Sequence, residues 1–68
     1  MRLTIELDRE VDGRWIAEIP ELNILLCGDS RPDAIQQAQS AAREIVPDRI
    51  AHGELPPDSA AAEFDIAA

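Results

Sequence analysis

The hydrophobic period of this chain changes once, and the change falls in Gly28-Asp29-Ser30-Arg31-Pro32-Asp33-Ala34. Before this stretch apolar residues alternate with period two; after it they recur at a period of about 3.6. Ser30 and Asp33 have the spacing of a capping box. The Ser30 hydroxyl can accept the N–H of Asp33, and the Asp33 carboxylate can reach back to the N–H of Ser30. Asp29 and Asp33 also put negative charge at the positive end of a helix dipole. Pro32 costs no hydrogen bond, since first-turn N–H groups have no helical acceptor. The stretch therefore predicts a sheet built first and one helix that starts here and folds back over it.

On the N-terminal side, Leu3, Ile5 and Leu7 alternate with Arg2, Thr4, Glu6 and Asp8, and Trp15, Ala17 and Ile19 alternate with Arg14, Ile16 and Glu18. Parity decides the loop between these two strands. A two-residue loop at Asp12-Gly13 would set Leu7 across from Glu18, joining the apolar set of one strand to the polar set of the other. A three-residue loop, Val11-Asp12-Gly13, pairs Glu10 with Arg14, sets Leu7 opposite Ala17 and Ile5 opposite Ile19, and puts Gly13 at the left-handed position of a G1 bulge. The three-residue loop is expected. Pro20 ends the second strand because it lacks a ladder N–H. Glu21-Leu22-Asn23 is then a loop and Ile24-Leu25-Leu26-Cys27 a third strand, whose four consecutive apolar residues predict burial on both faces, the second against another subunit.

From Arg31 the apolar positions Ala34, Ile35, Ala38, Ala41, Ala42, Ile45, Val46 and Ile50 form one helical stripe, with Gln36, Gln37, Gln39, Ser40, Arg43 and Glu44 toward water. Pro47 removes the bond to the Arg43 carbonyl, so a kink or short break is expected before more helix to about His52, with Gly53 as the stop. Glu54-Leu55-Pro56-Pro57-Asp58 reads as an extended linker. Ala62-Glu63-Phe64-Asp65-Ile66 alternates again, a short last strand with Phe64 and Ile66 inward. The whole is one α+β domain over 1–68, β-β-β-α-β, an antiparallel sheet with one helix packed on one face.

The chain has 68 residues, and one this small buries only about 60% of its extended surface. Trp15 and Phe64 are the sole aromatics, so Leu, Ile, Val and Ala supply the core; the Trp15 ring is expected to cover it, with an interface anchor as the other use. No apolar run approaches the roughly 18 residues of a membrane span, and no signal peptide is expected. The single cysteine, Cys27, forms no internal disulfide, fits a reducing cytoplasm and is expected to be a small buried apolar residue. Net charge is −8, and the six basic residues are all Arg. That argues against direct binding of nucleic acid, which needs a cationic patch, and favours a basic partner; maintenance of solubility is the other reading.

Several carboxylates invite an enzymatic reading. Glu6, Asp8 and Glu18 should share the sheet face away from the helix, where clustered carboxylates can hold Mg²⁺. They are far more readily the expected filling of a solvated sheet face. No Gly-rich phosphate loop, His–Cys metal spacing or Ser/His/Asp constellation is present, and His52, near a helix end, has no general-base setting. No enzyme, cofactor or metal is expected.

The stretches Ile5-Glu6-Leu7, Asp12-Gly13-Arg14-Trp15-Ile16-Ala17-Glu18-Ile19-Pro20-Glu21-Leu22, Gly28-Asp29-Ser30-Arg31-Pro32-Asp33-Ala34-Ile35 and Asp48-Arg49-Ile50-Ala51-His52-Gly53-Glu54 follow one another across nearly the whole chain. In that order they resemble the HicB family of type II toxin–antitoxin antitoxins. The resemblance implies a partial RNase H-like β-β-β-α-β unit. It also implies neutralisation of a HicA-type toxin, a small basic ribonuclease that cleaves mRNA and whose catalytic surface the antitoxin covers. The family usually has Pro-Gly where this chain has Asn23-Ile24. Many members add a C-terminal helix-turn-helix or ribbon-helix-helix domain. This chain has no room for one after its fourth strand, so operon DNA binding is expected to be absent or supplied by a partner.

The expected function is thus an antitoxin-like binding protein, cytoplasmic, acting on a small basic HicA-like ribonuclease and assembling as a homodimer or higher homo-oligomer. The alternatives are an orphan oligomerisation or scaffold domain without a toxin, and a Mg²⁺-dependent RNase H-like nuclease. Strand geometry nominates Glu6, Asp8, Glu18, Phe64, Asp65 and Ile66 as surface available to a partner.

Overall fold

The hairpin forms as parity requires. In the computed structural model, which describes residues 1–67, β1 (Arg2–Arg9) and β2 (Trp15–Ile19) are antiparallel with Leu7 opposite Ala17 and Glu6 opposite Glu18. The Glu10 N–H donates to the Arg14 carbonyl at 2.7 Å, closing a three-residue loop in which Gly13 has φ +91°. The regular ladder stops at Glu6 and Glu18, so Ile5 and Ile19 lie just past it, both fully buried.

Pro20 opens a 3₁₀ turn, Pro20–Leu22, whose exit residue Asn23 is left-handed at φ 54°. Asparagine is among the few non-glycine residues that tolerate that region. The turn swings Leu22 fully under the sheet and returns the chain as β3 (Ile24–Gly28), antiparallel to β2.

The helix α1 (Arg31–Ala51) starts on the capping box. Ser30 Oγ accepts the Asp33 N–H at 3.1 Å; the Asp33 carboxylate returns to the N–H of Asp29 at 3.0 Å, one residue earlier than the expected Ser30. The buried residues of α1 are Ala34, Ala38, Ala42 and Val46, one every fourth position. Three alanines in this row let the helix lie close to the sheet. At Gly28 strand and helix backbones come so close that a Cβ would stand 2.7 Å from the Ala34 Cα.

α1 is one continuous helix and is not broken at Pro47. Pro47 and Arg43 both sit on the exposed side, so the carbonyl that Pro47 leaves without a partner faces water. The helix closes with a Schellman pattern around Gly53 (φ +75°): the Glu54 N–H donates to the Arg49 carbonyl at 2.8 Å and the Gly53 N–H to the Ile50 carbonyl at 3.1 Å. The Arg49 guanidinium donates to the Leu22 carbonyl at 2.7 Å, tying the end of α1 to the turn after β2.

The Pro-rich segment that follows is not wholly extended. Pro57–Ala60 forms a 3₁₀ turn, with Pro57 already at the required φ and the Ser59 N–H bonded to the Pro56 carbonyl at 2.9 Å. The last strand, β4 (Glu63–Ala67), then lies beside β1 and runs parallel to it, with Leu3 opposite Phe64 and Ile5 opposite Ile66. The fold is therefore the expected β-β-β-α-β α+β arrangement, but the sheet, of order β3-β2-β1-β4, is mixed and not antiparallel throughout as expected, because the chain returns to the start of β1 and β4 pairs parallel with it.

The core lies between the sheet and α1: Leu3, Ile5, Leu7, Ala17, Ile19 and Leu22 from one layer, Ala34, Ala38, Ala42 and Val46 from the other. Trp15 is half-buried against it, as expected of a ring that covers the core. Among the described residues no buried side-chain polar atom lacks a hydrogen-bond partner. None of their helices is long and apolar enough to cross a membrane.

Candidate functional site: the open face of the sheet

A single helix covers one face of four strands, so the other face is built entirely from the alternate residues. Strand register assigns them: Arg2, Thr4, Glu6 and Asp8 from β1, Ile16 and Glu18 from β2, Leu25 and Cys27 from β3, Glu63 and Asp65 from β4. Their chemistry divides the face into three zones.

At the β4 margin the charges are already paired. The Arg2 guanidinium grips Asp65 with two bonds, Nε to Oδ2 at 2.8 Å and Nη2 to Oδ1 at 2.7 Å, and reaches Glu63 at 3.0 Å. The hydrogen bond from Arg2 holds the Asp65 carboxyl below its ordinary value; desolvation opposes it and the Arg2 charge adds to it. Nearby, Glu21 stands in for the strand that Pro20 ended, its carboxylate accepting the Thr4 N–H at 3.0 Å and the Thr4 hydroxyl at 2.8 Å. Desolvation pushes the Glu21 pKa up, but the hydrogen bonds from the Thr4 N–H, its own N–H and the Thr4 hydroxyl outweigh it and leave it lowered.

The centre carries uncompensated negative charge. Glu6 and Glu18 are directly opposite across β1 and β2, and Asp8 follows on the same side. Among the described residues none of the three takes part in a salt bridge. The third zone, toward β3, is apolar: Ile16, Leu25 and Cys27 adjoin, with Leu25 56% exposed. A groove of about 340 Å³ runs where the two meet, lined by Glu6, Leu7, Asp8, Ile16, Glu18 and Leu25. Its apolar side and carboxylate rim suit the stem and charged head of a Lys or Arg side chain.

The six residues nominated from the sequence do not form one surface. Glu6, Asp8 and Glu18 share the acidic centre, and Asp65 lies on the same face but is held by Arg2. Phe64 belongs to the opposite side, half-buried against the core. Ile66 shares that side and is 43% exposed, because α1 lies chiefly over β3 and β2 and leaves the end of β4 uncovered. Cys27 is exposed, not buried, and the expected two-sided burial of the third strand does not hold within one chain. Ile16, Leu25 and Cys27 were not nominated, although the register of β3 against Ile16 and Glu18 is the signal that places them.

The acidic residues do not converge. Among the described residues no three His, Cys, Asp or Glu come together as a metal could use them. His52 caps α1, its Nδ1 2.7 Å from the Asp48 carbonyl, which together with the Asp48 carboxylate raises its pKa above 6.5.

Fold and face together define a small α+β domain with one sheet face covered and the other open, acidic at its centre and apolar toward β3. Compared with family models, curated proteins and solved structures, the chain matches none.

Proposed function

We propose that the chain is an antitoxin-like binding protein of HicB type, which neutralises a small basic mRNA-cleaving ribonuclease of HicA type by covering its surface in the cytoplasm. The observation that carries this reading is the bare acidic centre, where Glu6, Asp8 and Glu18 stand without cations beside an apolar groove. Net charge of −8 steers a basic partner toward the domain from a distance, and the groove offers its Lys or Arg side chains both packing and a counter-charge. The β-β-β-α-β order and the sequence resemblance support the same reading. Covering the toxin needs no cofactor and no chemistry from this chain.

The decisive experiment sequences the genes on either side and pairs the protein with any small basic protein encoded there, in an mRNA-cleavage assay; absence of such a gene counts against the proposal. Inhibition at stoichiometric ratio, weakened by added salt, is expected. The triple variant Glu6→Gln, Asp8→Asn, Glu18→Gln should lose inhibition while melting no lower than the parent. An adjacent basic ribonuclease unaffected by the protein, or inhibited equally by the triple variant, refutes the proposal.

The scaffold alternative draws on a different feature, the uncharged β3 at the sheet edge, and does not compete for the acidic centre. The nuclease alternative has less geometric support, because the open-face carboxylates do not cluster.

A further inference from the structure

The sheet has two free edges, and they differ in charge. β4 carries Glu63 and Asp65. β3, Ile24-Leu25-Leu26-Cys27-Gly28, carries neither charge nor proline, the devices that normally keep an edge strand from pairing. Apolar side chains flank this edge on both sides: Ile24 and Leu26 half-buried toward the helix, Leu25 and Cys27 exposed on the open face.

The hydrogen-bond phase shows which main-chain groups are free. The bond from the Glu10 N–H to the Arg14 carbonyl fixes the alternation along the hairpin, so Ile16 and Glu18 direct their peptide groups at β1. Trp15, Ala17 and Ile19 then direct theirs at β3, where Gly28, Leu26 and Ile24 answer them. Leu25 and Cys27 are left with N–H and C=O aimed off the sheet.

We propose that β3 pairs antiparallel with β3 of a second copy of this chain, about a two-fold axis at Leu26, joining two sheets into one. In that register Leu25 of each copy lies opposite Cys27 of the other, and each such pair exchanges both main-chain bonds. The exposed Leu25 gains an apolar neighbour. Asp29 falls beside the neutral Asn23 of the second copy, whereas a register centred on Leu25 would set it beside Glu21.

Charge also selects the occupant. Copies of a −8 chain repel at most surfaces, and β1, β2 and β4 all carry carboxylates. Within the strands, the open-face carboxylate nearest the β3 edge on each side is Glu18, one strand in. The two Glu18 residues would be three strand spacings apart, roughly 14 Å, which exceeds the screening length of about 8 Å at physiological salt. Being isologous, the contact closes at two copies. It also leaves both acidic centres free on one continuous face, and it does not rest on the toxin reading.

Light scattering on the purified protein from low micromolar to near-millimolar concentration tests this. Twice the chain mass is expected, with dissociation on dilution. Leu25→Lys should run as a monomer with an unchanged circular-dichroism spectrum, and its melt should match that of the parent diluted to monomer, since Leu25 contributes little to the core. Ile66→Lys, at the other edge, should remain a dimer. The two Cys27 residues lie on a diagonal with Cβ atoms roughly 7–8 Å apart, too far for a disulfide but within a short bis-maleimide, which should trap the parent dimer. A chain that is monomeric throughout, a dimer that survives Leu25→Lys, or a mass that grows without limit overturns the proposal; a spontaneous Cys27 disulfide overturns its register.

Discussion

The two faces of β1, β2 and β3 are made from adjacent residues and obey opposite rules. On the helix side Leu3, Ile5, Ala17 and Ile19 are completely removed from water. One residue away along the same strands, Glu6, Glu18, Leu25 and Cys27 are exposed, with no second layer over them among the described residues. The covered face carries nearly all the hydrophobic stabilisation of a small domain; the open face contributes almost none and is free to be specified by a partner. Substitutions on one face should therefore change stability and leave binding alone, and on the other the reverse.

The largest expected effect is Ile5→Ala. Removing a fully buried Ile from a two-layer core costs about 2–5 kcal/mol. A domain of this length has in total on the order of 3–10 kcal/mol. Urea denaturation should show the midpoint falling to a small fraction of the parent value or the chain unfolded in buffer. Leu25→Ala, equally a large-to-small change but on the open face of β3, should shift stability by about 0.5 kcal/mol or less. Comparable losses at the two sites would abolish the distinction between the faces.

Gly28→Ala is next. It adds one methyl group where β3 and the start of α1 meet backbone to backbone, 2.7 Å from the Ala34 Cα and 2.9 Å from the Asp33 carbonyl carbon. Neither atom can rotate away, so strand and helix must separate, at about 1–3 kcal/mol. Thermal melting checks it. Gly13→Ala meets no atom within 4 Å and should cost less, through its positive φ alone.

These sites also show how much was legible beforehand. The covered face was, because period-two alternation admits one loop length for the hairpin and the observed Leu7–Ala17 pairing follows from it. The helix start was legible because a cap is a local contact between Ser30 and Asp33. What failed needed information beyond neighbours in sequence. Alternation at 62–66 names a face but not a direction. β4 is parallel to β1 because α1 and the turn at Pro57 return the chain to the start of β1, where the Glu63 N–H bonds the Met1 carbonyl at 2.9 Å. Pro47 announced a break, yet its cost depends on which way the orphaned carbonyl points. Four apolar residues in β3 required a cover on both faces, and no local signal says whether it comes from the same chain. For the open face, residue identities located Glu6, Asp8 and Glu18, while Leu25 and Cys27 emerged only with the register of the third strand.

The pH dependence follows from groups on the margins of both faces and is smaller, since all are largely exposed and screened by solvent. Glu21 and Asp65 have folded pKa values below their ordinary 4.5 and 3.8. Their stabilisation is present above those values and disappears as pH falls through the lowered ones. His52 has a folded pKa above 6.5, so its contribution is complete below 6.5 and is lost as pH rises through the raised value. Melting temperature should therefore pass through a maximum between about 4.5 and 6.5, and His52→Ala should flatten the alkaline decline without touching the acid one. A melting temperature that climbs steadily past neutrality contradicts the His52 assignment, and one that does not fall toward acid contradicts those of Glu21 and Asp65.

Glu18→Gln carries the smallest effect on stability, and its sign makes it the sharpest probe of the two faces. Glu6 and Glu18 face each other across the ladder with no cation between them, and like charges directly opposite on a sheet are unfavourable by a few tenths of a kcal/mol. Neutralising one should raise the urea midpoint slightly, and the gain should shrink in high salt as screening already suppresses the repulsion. The same substitution removes a carboxylate from the groove shared with Ile16 and Leu25, so affinity for a basic partner should fall as stability rises. A residue retained only as solvated filling would show the first change without the second. Opposite movement of the two quantities is what a surface kept for a partner at the expense of the fold requires.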